Sequence, residues 1–190
     1  MGEWHTILID GNERATRGFV SGFVGDRDID PTQVLLAEDV GVQRESLGER
    51  LLQLVTGGGH HLVLVAEEHV ATLVHALEHA DAAAGLRIAE RHQIVRARFA
   101  FAVEAFSREV AERVRAALRP LPVGVTFETH DEQEEERSDA KGVELYAPEH
   151  AYTYRAHGRV AGAFDGVLAL RRMLGDIEAV RLEGLLLELR

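Results

Sequence analysis

The sequence contains no cysteine and one tryptophan, and aromatic residues make up only 6% of its 190 residues. Without cysteine there can be no disulfide, thiolate zinc site or cysteine nucleophile, so any metal would need His, Asp or Glu ligands. No apolar run reaches the roughly 18 residues of a spanning helix, and no basic segment followed by a long apolar stretch opens the chain. We therefore expect a cytoplasmic protein with no membrane partner.

Positive charge is also scarce, with 21 basic against 32 acidic residues and a net charge of -11. This balance argues against a nucleic-acid partner, because such affinity depends on Lys and Arg displacing counterions. The acids are concentrated in the first 90 residues and in a run from Asp131 to Asp139. We interpret that run as a solvated loop or hairpin tip. The rest of the C-terminal half is mildly cationic, and its Arg side chains suit bidentate contacts with anions.

The first half alternates between two hydrophobic periodicities. Residues 5–10, 34–37 and 62–66 are apolar runs of strand length, whereas residues 13–24, 47–55 and 70–77 have the apolar spacing of helices. Strands and helices that alternate in this way are typical of right-handed crossovers. We predict a Rossmann-like βαβαβα unit with a mainly parallel sheet over residues 1–92.

The second half has a different order of elements. Strand patterns at residues 93–106, 123–129, 152–162 and 180–189 enclose helical patterns at residues 107–118 and 165–175. The order βαββαβ predicts a ferredoxin-like α+β sandwich over residues 93–190, either as a separate domain or continuous with the first unit.

The favoured functional hypothesis concerns the open face of that second sheet. A two-layer sandwich leaves one sheet face without helices, and Arg98, Arg155, His157 and Arg159 are predicted there. These side chains could bind an anionic small molecule or pair with an acidic surface of a second copy. We interpret the chain as a non-enzymatic binding or regulatory protein that forms a homo-oligomer. The simpler interpretation is a solvated face whose ion pairs contribute at most ~1 kcal/mol each.

The alternative hypothesis is a hydrolase. Asp10, Asp39 and Glu68 each follow a predicted strand, and the carboxyl ends of parallel strands meet at one sheet edge. Three carboxylates there could bind Mg²⁺ for hydrolysis of phosphorylated substrates; otherwise no cofactor is expected. The ILIDGN segment resembles the first strand of PIN- and NYN-type nucleases, and the resemblance implies acidic residues at equivalent strand ends.

A histidine pair completes the candidate sites. His75 and His79 belong to an H-x-x-E-H segment similar to the signature of pitrilysin-type zinc peptidases. The apolar stripe of the predicted helix places both histidines on its solvent-facing side, whereas a catalytic zinc needs a walled pocket. We therefore predict a weak surface metal site at His75 and His79 and no peptidase activity.

Overall fold

The computed structural model describes residues 2–37, 40–44, 51–53, 60–80, 85–136 and 152–190. The chain forms two compact units, unit 1 with Met1–Val95 and Leu186–Arg190, and unit 2 with Arg96–Leu185. The predicted separation into domains at residues 92 and 93 stays a prediction. None of the described helices is long and apolar enough to cross a membrane.

Unit 1 is a mixed α+β assembly. Its elements in chain order are β1 (Trp4–Asp10), α1 (Glu13–Asp26), β2 (Val34–Leu36), β3 (Val40–Arg44), β4 (Leu51–Gln53), β5 (His60–Ala66), α2 (Glu67–Glu78) and the first half of β6 (Arg87–Ala105). Helix α1 begins after Asn12, whose side-chain oxygen accepts hydrogen bonds from the backbone N–H groups of Arg14 (2.9 Å) and Ala15 (3.3 Å).

The predicted parallel sheet of unit 1 is wrong, because its paired strands are antiparallel. Strand β5 lies between β1 and β2 and is antiparallel to both, and β1 also pairs antiparallel with β6. The two strands joined through α1, β1 and β2, do run in the same direction, and so do β5 and β6, which are joined through α2. A crossover fixes the direction of its two strands, but it does not prevent a third strand from pairing between them.

The predicted helix at residues 47–55 is also wrong where the structure describes it. Residues 51–53 form strand β4, which pairs antiparallel with β3 and sets Val42 opposite Leu52. The other residues of that predicted helix lie outside the described ranges. Pairing with a neighbouring strand here overrides the local apolar spacing. The β3–β4 pair takes the place of the second predicted crossover, and β5 returns antiparallel to β1.

The helices of unit 1 cover one face of its sheet. Ile7 and Ile9 from β1 and Val63 and Val65 from β5 form a buried core with side chains of both helices. The helical members of this core are Val20, Phe23, Val70, Leu73 and Leu77. Burial of each large apolar side chain contributes about 1.5–3 kcal/mol relative to exposure, so this contact holds α1 and α2 against the sheet.

Unit 2 uses the second half of β6, and the last short strand of the sequence belongs almost wholly to unit 1. The further elements of unit 2 are α3 (Arg108–Leu118), β7 (Val125–Glu136), β8 (Tyr152–Gly162), α4 (Phe164–Gly175) and β9 (Val180–Leu182), and β10 (Leu185–Leu189) follows. The single strand predicted at residues 180–189 is thus two strands, separated at Glu183 and Gly184. Strand β8 lies between β6 and β7, and β9 pairs with the other edge of β6, all antiparallel.

The two units share one strand topology. If β10 and the β3–β4 hairpin, which follow β6 in the sheet, are set aside, unit 1 has the strand order β2-β5-β1-β6, and unit 2 has the order β7-β8-β6-β9. In both units a helix follows the first and the third strand in sequence. Strand β6 is therefore the last strand of one arrangement and the first of the next.

Candidate functional site

Strand β8 presents alternate side chains to opposite faces of the unit 2 sheet. Tyr154 and Val160 are fully buried on the helix side, whereas Arg155, His157 and Arg159 are exposed on the other side. This period-2 alternation follows from strand geometry, and it places three of the four predicted ligand residues on one open face. We call this surface the open face of unit 2.

Two alanines on β6 form the floor of the open face. Ala100 lies opposite Arg159 of β8, and Ala102 lies between His157 of β8 and Arg181 of β9. Because alanine carries a single methyl group, the longer side chains on both flanking strands rise above a shallow depression. Arg181 is exposed, and the sequence-based hypothesis did not include it among the ligands.

Several charges at the border of the open face are already paired. Arg155 contacts Glu104 at 2.8 Å, and His157 lies 4.0 Å from the Asp131 carboxylate. Glu183, an exposed acid that follows β9, is held beside Ala100 by its backbone N–H, which donates to the Ala100 carbonyl at 2.9 Å and leaves the carboxylate charge unpaired among the described residues. Ion pairs of this exposed kind contribute little to stability, so they leave Arg155 and His157 able to exchange partners.

Arg159 and Arg181 differ from these border residues. Among the residues that the structure describes, neither guanidinium makes an ion pair or a side-chain hydrogen bond. The fourth predicted ligand, Arg98, lies opposite Ala161 and is half-buried beside the depression. Within the described part of the chain, the open face therefore offers two guanidinium groups without an ion-pair partner, one on each side of Ala100 and Ala102.

The acidic run does not form the predicted loop tip where the structure describes it. Residues 131–136 complete strand β7 and pair with β8 from Tyr152 to His157. Arg115 of α3 donates from Nε to Glu132 at 2.6 Å and also binds Glu134, while Arg119 donates to Glu132 at 2.8 Å. One feature of the sequence could have predicted this pairing. Arg residues in α3 and directly after it bind acids at even-numbered positions of β7. The long link after the acidic run also allows a short strand at residues 143–146, because structureless loops of more than twenty residues are uncommon, and these residues lie outside the described ranges.

The same contacts shift the ionisation of the acidic strand. Burial raises the pKa of Glu132, but the hydrogen bond and charge of Arg115 outweigh burial and hold that pKa below its usual value. Burial raises the pKa of Tyr154 to about 12, and the Arg115 guanidinium lies 4.8 Å from the centre of its ring. These residues join α3 to the sheet on the face opposite the open face, so we assign them a structural role.

Two of the three carboxylates of the hydrolase hypothesis, Asp10 and Glu68, are not brought together. In the antiparallel β1–β5 pair, Asp10 lies opposite His60, whereas Trp4 lies opposite Ala66, directly before α2 and Glu68. Asp10 and Glu68 are therefore at opposite ends of the pair, about 20 Å apart at the usual rise per residue. Glu68 instead accepts a hydrogen bond from the Gln33 side chain at 2.8 Å. Asp39 lies outside the described residues.

His75 and His79 are exposed on α2 and at its C-terminal end, where their ring centres are 4.0 Å apart. With Glu78 they form a group whose potential ligand atoms lie within 4.8 Å of one another. The ring nitrogen Nδ1 of His79 is 2.8 Å from the His75 carbonyl, which can only accept, so Nδ1 carries the proton and Nε2 is free to bind a metal. The weak surface metal site stays a prediction.

Comparison with known proteins does not assign this chain to a family. No family model matches the sequence, and no curated protein matches it. Among solved structures, an unknown protein from Galdieria sulphuraria is 15% identical with a TM-score of 0.28, and the match covers 100% of this chain and 98% of that one. A microcompartments protein from Desulfitobacterium hafniense DCB is 9% identical, with a TM-score of 0.27 and coverage of 97% and 95%.

A third solved structure, a putative glycine cleavage system transcriptional repressor, is 8% identical with a TM-score of 0.27, covering 100% of this chain and 97% of that one. At such TM-scores these similarities carry no argument about the function of the chain.

Proposed function

We propose that the chain is a non-enzymatic binding protein built from two tandem ferredoxin-like units, and that unit 2 binds a small multivalent anion on its open face. A regulatory role would require that the bound anion changes the affinity of the protein for a partner. The observation that carries the proposal is the pair of unpartnered guanidinium groups, Arg159 and Arg181, beside Ala100 and Ala102 in the described part of the chain.

The spacing of the two arginines suits an anion with more than one charged group. Arg159 and Arg181 are separated by two strand spacings across the sheet and by two residues along it. These offsets correspond to about 10 Å and about 7 Å between backbone positions. Two extended Arg side chains can close this gap over the alanines and bind opposite ends of a diphosphate or a di- or tricarboxylate, each through a bidentate contact.

Inorganic pyrophosphate is a suitable probe. Two charge-assisted contacts of about 2 kcal/mol each predict a dissociation constant on the order of 1 mM at low ionic strength. We expect isothermal titration calorimetry, without divalent cations, to detect this binding and to show it weaken in 0.5 M NaCl because salt screens exposed charges.

Two other outcomes would assign the open face differently. No binding, together with a dimer by light scattering that Arg159→Glu dissociates, would indicate that a second copy covers the face. Release of phosphate from the probe during the titration would contradict a non-enzymatic function and favour the hydrolase hypothesis.

A further inference from the structure

A separate group of possible metal ligands lies at the start of unit 1. Glu3 precedes β1, His5 is its second residue, and Glu67 is the first residue of α2. One ligand atom from each of the three side chains lies within 4.8 Å of the other two. Residues two apart on an extended chain project to the same side, which explains why Glu3 and His5 meet Glu67 together.

The backbone holds these three residues on fixed elements. The N–H of Glu67 donates to the Glu3 carbonyl at 2.9 Å, which fastens the first turn of α2 to the chain entering β1. On β1, His5 lies opposite Val65, a residue of the unit 1 core. The site therefore needs no rearrangement of the backbone to bring its ligands together, which favours binding.

The environment of His5 is the second observation. Its side chain is only 12% exposed, and its Nε2 lies in contact with the Glu67 carboxylate. Both ring nitrogens are shielded from solvent, and among the described residues Nδ1 has no hydrogen-bond partner. A shielded imidazole whose Nε2 points at a carboxylate is an unusual feature of an apolar strand, and a cation coordinated by Nε2 and the adjacent carboxylates would balance their negative charge.

We propose that Glu3, His5 and Glu67 bind a divalent transition-metal ion with the chemistry of Zn²⁺. One imidazole nitrogen and two carboxylate oxygens are ligands that Zn²⁺ accepts, whereas Mg²⁺ and Ca²⁺ prefer oxygen ligands throughout. Three protein ligands leave a fourth position for water. The ion links β1 to α2, and this inference does not depend on anion binding by unit 2.

The site differs from the histidine pair on the same helix. His75, Glu78 and His79 are all exposed and come from one helix end, whereas Glu3, His5 and Glu67 join two elements around a largely buried imidazole. A test must separate the two sites. The double variant His75→Ala/His79→Ala removes the first site and serves as the background.

The measurement is Zn²⁺ affinity of the full chain, without a purification tag, by competition with a chromophoric chelator. We expect the background variant to bind one Zn²⁺ ion with a dissociation constant of micromolar order or lower, and its melting temperature to rise with Zn²⁺. Adding Glu67→Gln or Glu3→Gln should weaken binding at least about tenfold. The matched change Glu68→Gln, at the next carboxylate of α2, should leave the affinity unchanged.

Glu3 and Glu67 are exposed, so their amide variants should fold, and circular dichroism checks this directly. The inference is overturned if the background variant binds no Zn²⁺, or if Glu3→Gln and Glu67→Gln bind it as tightly as the background does. In either case the contact between His5 and Glu67 is an ion pair alone.

Discussion

Replacement of both Arg159 and Arg181 with glutamate is expected to weaken pyrophosphate binding by at least about a hundredfold. Each guanidinium supplies a charge-assisted contact of about 1.5–3 kcal/mol, and each 1.4 kcal/mol corresponds to a factor of ten in affinity. The introduced carboxylates add repulsion. Replacement of the same two arginines with lysine should lower the affinity about tenfold, because lysine keeps the charge but cannot make the bidentate contact.

The control must change the net charge equally. Arg87 and Arg172 are exposed and lie outside the open face, so the variant Arg87→Glu/Arg172→Glu has the same net charge as the test variant. Calorimetry should give this control nearly the wild-type affinity in 0.15 M salt, where charges farther apart than about 8 Å are largely screened. If the control variant lost as much affinity for pyrophosphate as the test variant, the loss would reflect the change in net charge and not a site at Arg159 and Arg181.

Replacement of Arg115 with alanine is expected to destabilise the protein by about 2 kcal/mol, whereas Arg119→Ala should cost at most about 1 kcal/mol. Arg115 donates to Glu132, a carboxylate that is 18% exposed, and covers the ring of fully buried Tyr154. Its removal leaves a shielded carboxylate with a weaker partner. Arg119 binds the same carboxylate from a side chain that is 65% exposed, so solvent replaces much of its contact.

Urea unfolding followed at pH 7 and at lower pH measures both variants. Because the pKa of Glu132 is lowered in the folded state, its stabilising contribution is present above the ordinary carboxyl pKa and is lost as the pH falls through the folded-state pKa. The difference between wild type and Arg115→Ala should therefore narrow in acid. Equal destabilisation by the two variants, or a difference independent of pH, would contradict the assigned role of Arg115.

The sequence was most informative where one face of a strand is buried and the other is solvated. In β8 the apolar residues alternate strictly with Arg155, His157 and Arg159, and the predicted strand has the same bounds as the observed one. The alternation also determines which side chains face away from the helices, because the side-chain period of a strand is two. Most of the open face could therefore be predicted from local pattern alone.

The pairing of β5 and the acidic half of β7 were not predicted. The run LVLVA of β5 is buried on both faces, a pattern typical of parallel sheets, yet β5 is antiparallel to its neighbours. Residues 131–136 carry acids on both faces of β7, so no apolar period marks them as a strand. Their pairing with β8 and with Arg115 comes from parts of the chain distant in sequence. The shared topology of the two units is hidden for the same reason.

The central claim, that an anion binds over Ala100 and Ala102, is tested most directly by ¹H–¹⁵N correlation NMR during a pyrophosphate titration. We predict saturable shifts in the backbone amides of Ala100, Ala102, Arg159 and Arg181, with small changes along α3 and α4 on the opposite side of the sheet. Unchanged amides at these four positions, while calorimetry still reports binding, would place the anion elsewhere and contradict the proposed site.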